Sequence, residues 1–386
     1  MKNILLRSYE IVLFLFAISI VMTMYSMTVG DEEGQLFGIS YGYYVLPLLL
    51  VNIIICINFL SCFNFKGIQG WLVLWIIIVS FNVLLLSTRK GAYLIRVNLW
   101  TTSFLSAYCL ARMNENTVKQ IVYLFLIIYI IGLFYFIQGK LFQLANLKRG
   151  LEDTTNAIYC LVSIVPFLML LKQKWLRLFL LIIAFVCTLY SNKRGAAIVM
   201  ALAMIPTISN VFEGMQNKRS KRFLIIATGI AIVYLLYYIG GAYLNGRLFE
   251  RFKEVEETGG SGRSEIWANV LDAYNSSNFG EQLLGHGHYA VSSLGNATAA
   301  HNDFLDVLYD YGLVGLFVYV MIHLSLIAKI FKLRKTKNAI MWPYITMYAV
   351  FLIMSLLSIL IVQQRYIIFM AVFWGCMEGC RFRYRS

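Results

Sequence analysis

Charge is what this sequence has least of. Of 386 residues only 13% are charged while 60% are hydrophobic, and the mean hydropathy is +0.72. A soluble globular domain is thereby excluded, since such domains are about a quarter charged. Segments of alternating hydrophobicity about ten residues long, the mark of a membrane β-barrel, are also missing. Cysteine is absent from the long polar stretch of the chain. Cys56, Cys62, Cys109, Cys160, Cys187, Cys376 and Cys380 all fall in or beside apolar runs, so no disulfide framework is implied. They read instead as small residues facing lipid or other helices. Ionisable residues are sparse inside the apolar runs, with Glu378 and His323 nearest to mid-span. Proton- and ion-coupled transporters carry such groups at mid-membrane to bind the coupling ion, so a transporter is the weaker reading. No module interleaving aromatic and basic residues is present, and no nucleic-acid partner is expected.

What the chain does have is a succession of apolar runs about 16 to 25 residues long, enough to cross a bilayer as helix. They predict an all-α polytopic membrane protein of about twelve spans. The spans fall at 9–29, 41–63, 71–86, 92–110, 118–138, 157–171, 176–190, 195–212, 222–241, 303–330, 340–361 and 366–380. An even number returns both termini to one side. The basic N-terminus, MKNILLRSYE, runs into an apolar helix without a small-residue cleavage site and is expected to be a retained first span. Placing it in the cytoplasm assigns most of the 33 lysines and arginines to short cytoplasmic loops, as the positive-inside rule asks. The net charge of +14 is then largely a topology signal. The expected division is a membrane domain over 1–241 (spans one to nine), an outer loop over 242–302, and a membrane domain over 303–386 (spans ten to twelve).

The basic residues left on the outer side are not explained by orientation. Snorkelling at the lipid interface accounts for any one of them alone. Together, Arg89 and Lys90, Lys193 and Arg194, Arg263 and Arg365 suggest a positive cavity at the outer face. Two short stretches resemble one another, STRKGA at 87–92 and SNKRGA at 191–196. Each is expected to open a helix, whose free N–H groups and partial positive charge suit a phosphate, with an arginine adding a full charge.

The long polar segment carries three of the four histidines, His286, His288 and His301. Its Gly-Gly-Ser-Gly run at 259–262 reads as a loop, and SEIWANVLDAY at 264–274 as an amphipathic helix able to lie on the membrane surface. GHGH at 285–288 lacks a third ligand and is a poor metal site; its glycines are expected to bring His286 or His288 over the outer vestibule. His301 precedes Asn302 and Asp303, either of which can cap a helix re-entering the membrane. That places an imidazole at the outer edge, within reach of an acceptor hydroxyl. Asp303, Asp306 and Asp310 share one helical face and can orient the histidine or bind sugar hydroxyls.

Arg194-Gly195 after a span, GRSEIW at 262–267, GHG at 285–287, and AHNDFL followed by YGLVG within 300–315 together resemble the O-antigen polymerase and O-antigen ligase superfamily. The resemblance implies a GT-C-like helical fold in the bacterial inner membrane, with a periplasmic loop between spans nine and ten and a periplasmic active site. It implies a glycosyltransferase whose donor is an undecaprenyl-diphosphate-linked oligosaccharide, with no cofactor and no metal. Arg194 and Arg263 would grip the diphosphate, and His301 would activate the acceptor or position it. Arg89, Arg365, Lys193, His288 and Asp303 are the further expected substrate contacts. The leading expectation is a polymerase that moves the growing glycan onto a new lipid-linked repeat unit. A ligase to lipid A core and a flippase of lipid-linked sugar are the alternatives. Membrane lipid and a chain-length regulator protein complete the expected partners.

Overall fold

Backbone N–H and C=O groups in a long apolar run can satisfy each other only by forming helix. The computed structural model of this chain follows that rule. It describes residues 2–29, 35–36, 39–62, 65–87, 90–114, 116–145, 158–191, 193–213, 263–295, 299–336, 338–358, 360–361 and 366–380. Through the first half of the chain run α1 (Lys2–Val29), α2 (Tyr41–Asn58), α3 (Ile68–Leu86), α4 (Lys90–Met113) and α5 (Asn116–Ala145), followed by α6 (Ile158–Leu168), α7 (Lys174–Tyr190) and α8 (Arg194–Glu213). After α9 (Arg263–Ser276) and α10 (Phe279–Leu284) comes a 3-10 turn at Ala290–Leu294. The chain closes with α11 (Asp303–Lys335), α12 (Met341–Leu357) and α13 (Ile367–Gly379). The only extended pairing among the described residues is a two-residue antiparallel ladder, Gln35–Leu36 against Ile39–Ser40.

Every expected span falls on one of these helices except 222–241, which lies outside the described residues. Among the described residues three helical stretches, Ile68–Leu86, Asn116–Gly139 and Asp303–Lys335, are long and apolar enough to cross a membrane; six shorter apolar helices accompany them. Large apolar side chains such as Phe14, Ile77, Phe134, Phe179 and Ile205 stand exposed on the outside of the bundle, as in a protein solvated by lipid.

The centre of the bundle is α4, buried from Leu99 through Ala111 apart from the half-buried Thr102, with α13 laid tightly along it. Gly375 and Gly379, one turn apart on α13, make that contact possible. A Cβ on Gly375 would lie 2.3 Å from the Phe104 carbonyl oxygen, and one on Gly379 2.4 Å from that of Tyr108. Ala107 and Ala111 face them, so small residues on both helices let the backbones meet, the usual device of helix pairs in lipid. Polar side chains add cross-links: Asn52 on α2 donates to Ser103 Oγ on α4 at 2.9 Å, and Ser106 donates back to the Asn52 carbonyl. The Glu378 carboxylate on α13 is bound to Lys329 Nζ at 2.6 Å and to the Tyr344 hydroxyl at 3.0 Å. His323, the other near-mid-span candidate, is enclosed by Phe351, Tyr319 and Phe304, with its ring stacked on Phe351.

Candidate functional site

The site grows from the N-terminal end of α11. Asn302 caps the helix, its side-chain oxygen accepting from the Phe304 N–H at 3.0 Å. Asp303, Asp306 and Asp310 follow at helical spacing, and all three are buried. Buried carboxylates need donors, and these find main-chain N–H groups of three separate segments. Asp303 Oδ1 accepts from Ile361 N–H at 3.1 Å, while its Oδ2 accepts from the Tyr319 hydroxyl at 3.2 Å. Asp306 Oδ1 accepts from Ala300 N–H at 2.7 Å. Asp310 accepts from Tyr289 and Ala290 N–H at 2.7 and 2.9 Å, and from Val291 N–H at 3.3 Å. The first turns of α11 thus hold the 3-10 turn, the strand of chain before His301, and the connection between α12 and α13.

Gly312 then breaks the helix. Its φ of 67° and ψ of −169° are open to glycine but strained for other residues, and a Cβ there would lie 2.3 Å from the Leu283 carbonyl oxygen. The C-terminal end of α10 fits into this kink. Gly285 makes the reciprocal approach, with no room for a Cβ beside the Asp310 carbonyl. Asn82 of α3 ties the joint to the membrane body, donating to the Leu284 and Asp310 carbonyls at 2.6 and 3.1 Å.

The amphipathic helix expected on the membrane surface is α9. Its apolar face is covered by protein: Val270 joins a small core with Val291, Ala300 and Tyr309, and Ile266, Trp267 and Tyr274 pack on it. Trp267 Nε1 donates to the Ala300 carbonyl at 2.8 Å. The helix opens with Arg263, one turn before that tryptophan.

His301 is half-buried, and its φ of 55° is in the left-handed region. Burial pushes its pKa below the usual value, and the positive charges of Arg263 and Lys193 push it further the same way. Residues from the head of α8, the head of α9 and the approach to α11 therefore act on one imidazole. Lys193 also lies 5.8 Å from the centre of the Tyr159 ring. Arg194 begins α8 beside it, with its side chain outside the described residues; Arg89 and Arg365 also lie outside them. The chain two residues before Arg89 is fixed, since Ser87 Oγ accepts from the His288 N–H at 2.8 Å. The chain four residues before Arg365 is fixed by Asp303.

Two expected substrate contacts occupy other positions. His288 is packed rather than open to the vestibule: its Nδ1 bonds to the Tyr311 hydroxyl at 2.5 Å and its ring meets the edge of Tyr93. Burial, reinforced by the positive charge of Arg96, lowers its pKa to about 3, so the ring is neutral. Asp303 is fully buried with both oxygens engaged within the protein, one by the connection between α12 and α13 and one by Tyr319 of its own helix. His286 stacks on Tyr309 and bonds to Ser277 Oγ at 3.0 Å and the Tyr309 carbonyl at 3.1 Å, so the two histidines of GHGH serve different partners. Sequence reasoning missed Trp267 as a hydrogen-bond donor and Asn82 as an anchor. A lone asparagine in an apolar run was the only signal for the latter.

Residues 178–320 match the family model described as O-antigen ligase. No curated protein matches the chain. The matched stretch runs from within α7 to beyond the Gly312 kink, and so contains Lys193, Arg194, Arg263, Trp267, His301 and all three aspartates. The segment that builds this site thus matches the O-antigen ligase family, a match consistent with the O-antigen polymerase and ligase superfamily.

Proposed function

We propose that the protein is a polyprenyl-diphosphate-dependent glycosyltransferase acting as a surface-polysaccharide polymerase. The growing glycan passes from undecaprenyl diphosphate to the non-reducing end of a new lipid-linked repeat unit. The observation that carries this reading is that the positive charges of Lys193 and Arg263, from distant parts of the chain, both act on His301. In the reaction the acceptor hydroxyl oxygen bonds to the anomeric carbon of the donor sugar. The bond from that carbon to the diphosphate oxygen breaks, and its electron pair leaves on the diphosphate. The hydroxyl proton passes to the His301 ring, which its lowered pKa keeps neutral at physiological pH. Arg263, Lys193 and Arg194, with the N-terminal end of α8, stabilise the charge that develops on the leaving diphosphate. Arg89 and Arg365, which lie outside the described residues, are the further cations proposed to bind the diphosphate.

In this reading the chain has about twelve GT-C-like spans, sits in the inner membrane with both termini in the cytoplasm, and works at the periplasmic face without a metal. The description of the matched family favours a second reading, a ligase that moves the glycan to lipid A core. The deciding experiment incubates purified protein with a lipid-diphosphate-linked repeat unit and EDTA and follows products on a gel. A ladder from the wild type that His301→Ala and Arg263→Ala lose supports the polymerase. Glycan moved only when lipid A core is added makes the protein a ligase. A ladder undiminished in His301→Ala removes the histidine from the mechanism.

A further inference from the structure

Among the described residues only Tyr289 and His301 hold a left-handed backbone without being glycine. Such a conformation is strained and persists only where the surroundings fix it. At His301 the fixing contacts sit on the residue before it. Ala300 is fully buried and gripped at both its polar groups: its N–H by Asp306 Oδ1 at 2.7 Å, its carbonyl by Trp267 Nε1 at 2.8 Å. The carbonyl belongs to the peptide plane whose orientation at the His301 Cα defines the His301 φ. Turning that plane would break the tryptophan bond.

Trp267 stands one turn after Arg263 on α9, so the same bond also sets the distance between the arginine and the histidine. Asp306, on α11, is buried with its second oxygen unpartnered. A carboxylate held this way is unfavourable unless the bond it does make matters.

We propose that Trp267 and Asp306 are positioning residues, a clamp that holds the two peptide groups flanking Ala300 and so fixes the His301 ring and its separation from Arg263. This rests on His301 acting in glycosyl transfer, and neither clamp residue need touch substrate. The clamp makes two linked parameters depend on one geometry. One is the rate of the chemical step, because a general base displaced by about 1 Å loses on the order of a hundredfold in rate. The other is the protonation midpoint of His301. The charged groups that act on the ring are Arg263 on α9 and Lys193 at the head of α8; the α11 carboxyls of Asp303 and Asp306 bond instead to Ile361, Tyr319 and Ala300. Release of the clamp lets the ring move away from Arg263 and toward water, and both changes raise its midpoint toward the ordinary histidine value.

The test uses the full-length protein in nanodiscs. Trp267→Phe keeps the ring and removes the donor, Asp306→Ala removes the acceptor, and Asp306→Asn keeps it. Transfer kinetics are read beside the titration of 13C-labelled histidine rings by NMR, with the His301 signal assigned by its loss in His301→Gln. The clamp predicts that Trp267→Phe and Asp306→Ala lower kcat by about tenfold or more with KM nearly unchanged, and raise the His301 midpoint, while Asp306→Asn stays near wild type in both. A role in folding alone would lower the yield of active protein and leave the midpoint of the folded fraction where it was. Wild-type midpoints in both Trp267→Phe and Asp306→Ala would overturn the clamp. A raised midpoint together with full activity in His301→Ala would keep the clamp and remove the catalytic reading.

Discussion

The α4–α13 core and the cap formed by α9, α10 and the first turns of α11 are held by opposite means. In the core, backbones touch because Gly375 and Gly379 leave no side chain between them. In the cap, contact runs through polar groups. Three aspartates catch five main-chain N–H groups, an asparagine bridges to α3, and two residues other than glycine adopt left-handed backbone. Lipid offers apolar helices no hydrophobic reason to associate, so close steric fit must do it. A cap that holds one imidazole within the field of two cations needs directional bonds, because dispersion contacts do not fix a peptide plane.

Damage in the two regions should therefore have different signatures. The largest effect is expected from His301→Ala, which should lower transfer by about 10²- to 10⁴-fold with the unfolding temperature unchanged; kinetics beside a thermal melt check both. Gly375→Ala should do the reverse. A Cβ 2.3 Å from a backbone oxygen cannot be accommodated without separating α4 from α13, which should cost about 1–3 kcal/mol of stability while the molecules that remain folded turn over normally. Equal loss of turnover in Gly375→Ala would mean that core and cap are not separable.

Protonation gives a subtler contrast. The folded His301 pKa is depressed, so the acid limb of the transfer rate should lie below pH 6.5. Removing a facing positive charge in Arg263→Gln should move that limb upward, measured with residual activity or by NMR. His288 tests stability instead. Its folded pKa of about 3 lies below the unfolded value of about 6.5, so the unfolded state binds the extra proton first. Stability is then fully present above about pH 6.5 and declines as pH falls toward 3. Hydrogen exchange in the cap should report this decline, and His288→Gln should flatten it. The smallest effect is expected from Lys329→Gln, which breaks the Glu378 ion pair. Stability should fall by on the order of 1 kcal/mol and transfer kinetics should not change.

The helices were legible because an apolar run carries its own instruction. The motifs around Arg263 and His301 were legible as well, and they fall in the segment that matches the O-antigen ligase family. His288 was not, since nothing in GHGH reveals that Tyr93 and Tyr311 close over its ring. Nor was the work of the aspartates. Their shared face is visible from spacing, but Asp303 meets an N–H 58 residues away and Asp306 one six residues before it on a loop. The bond from Trp267 crosses 33 residues to a carbonyl that has no side-chain signature at all.

The sequence by itself determined that the chain is helical and suited to lipid, because each apolar run must satisfy its own backbone wherever it lies in the bundle. Only the tertiary structure decided which cations act on His301, and that the residue before it is gripped at both its N–H and its carbonyl. Those features depend on directional contacts between segments far apart in the chain, and residue order does not encode such contacts one run at a time.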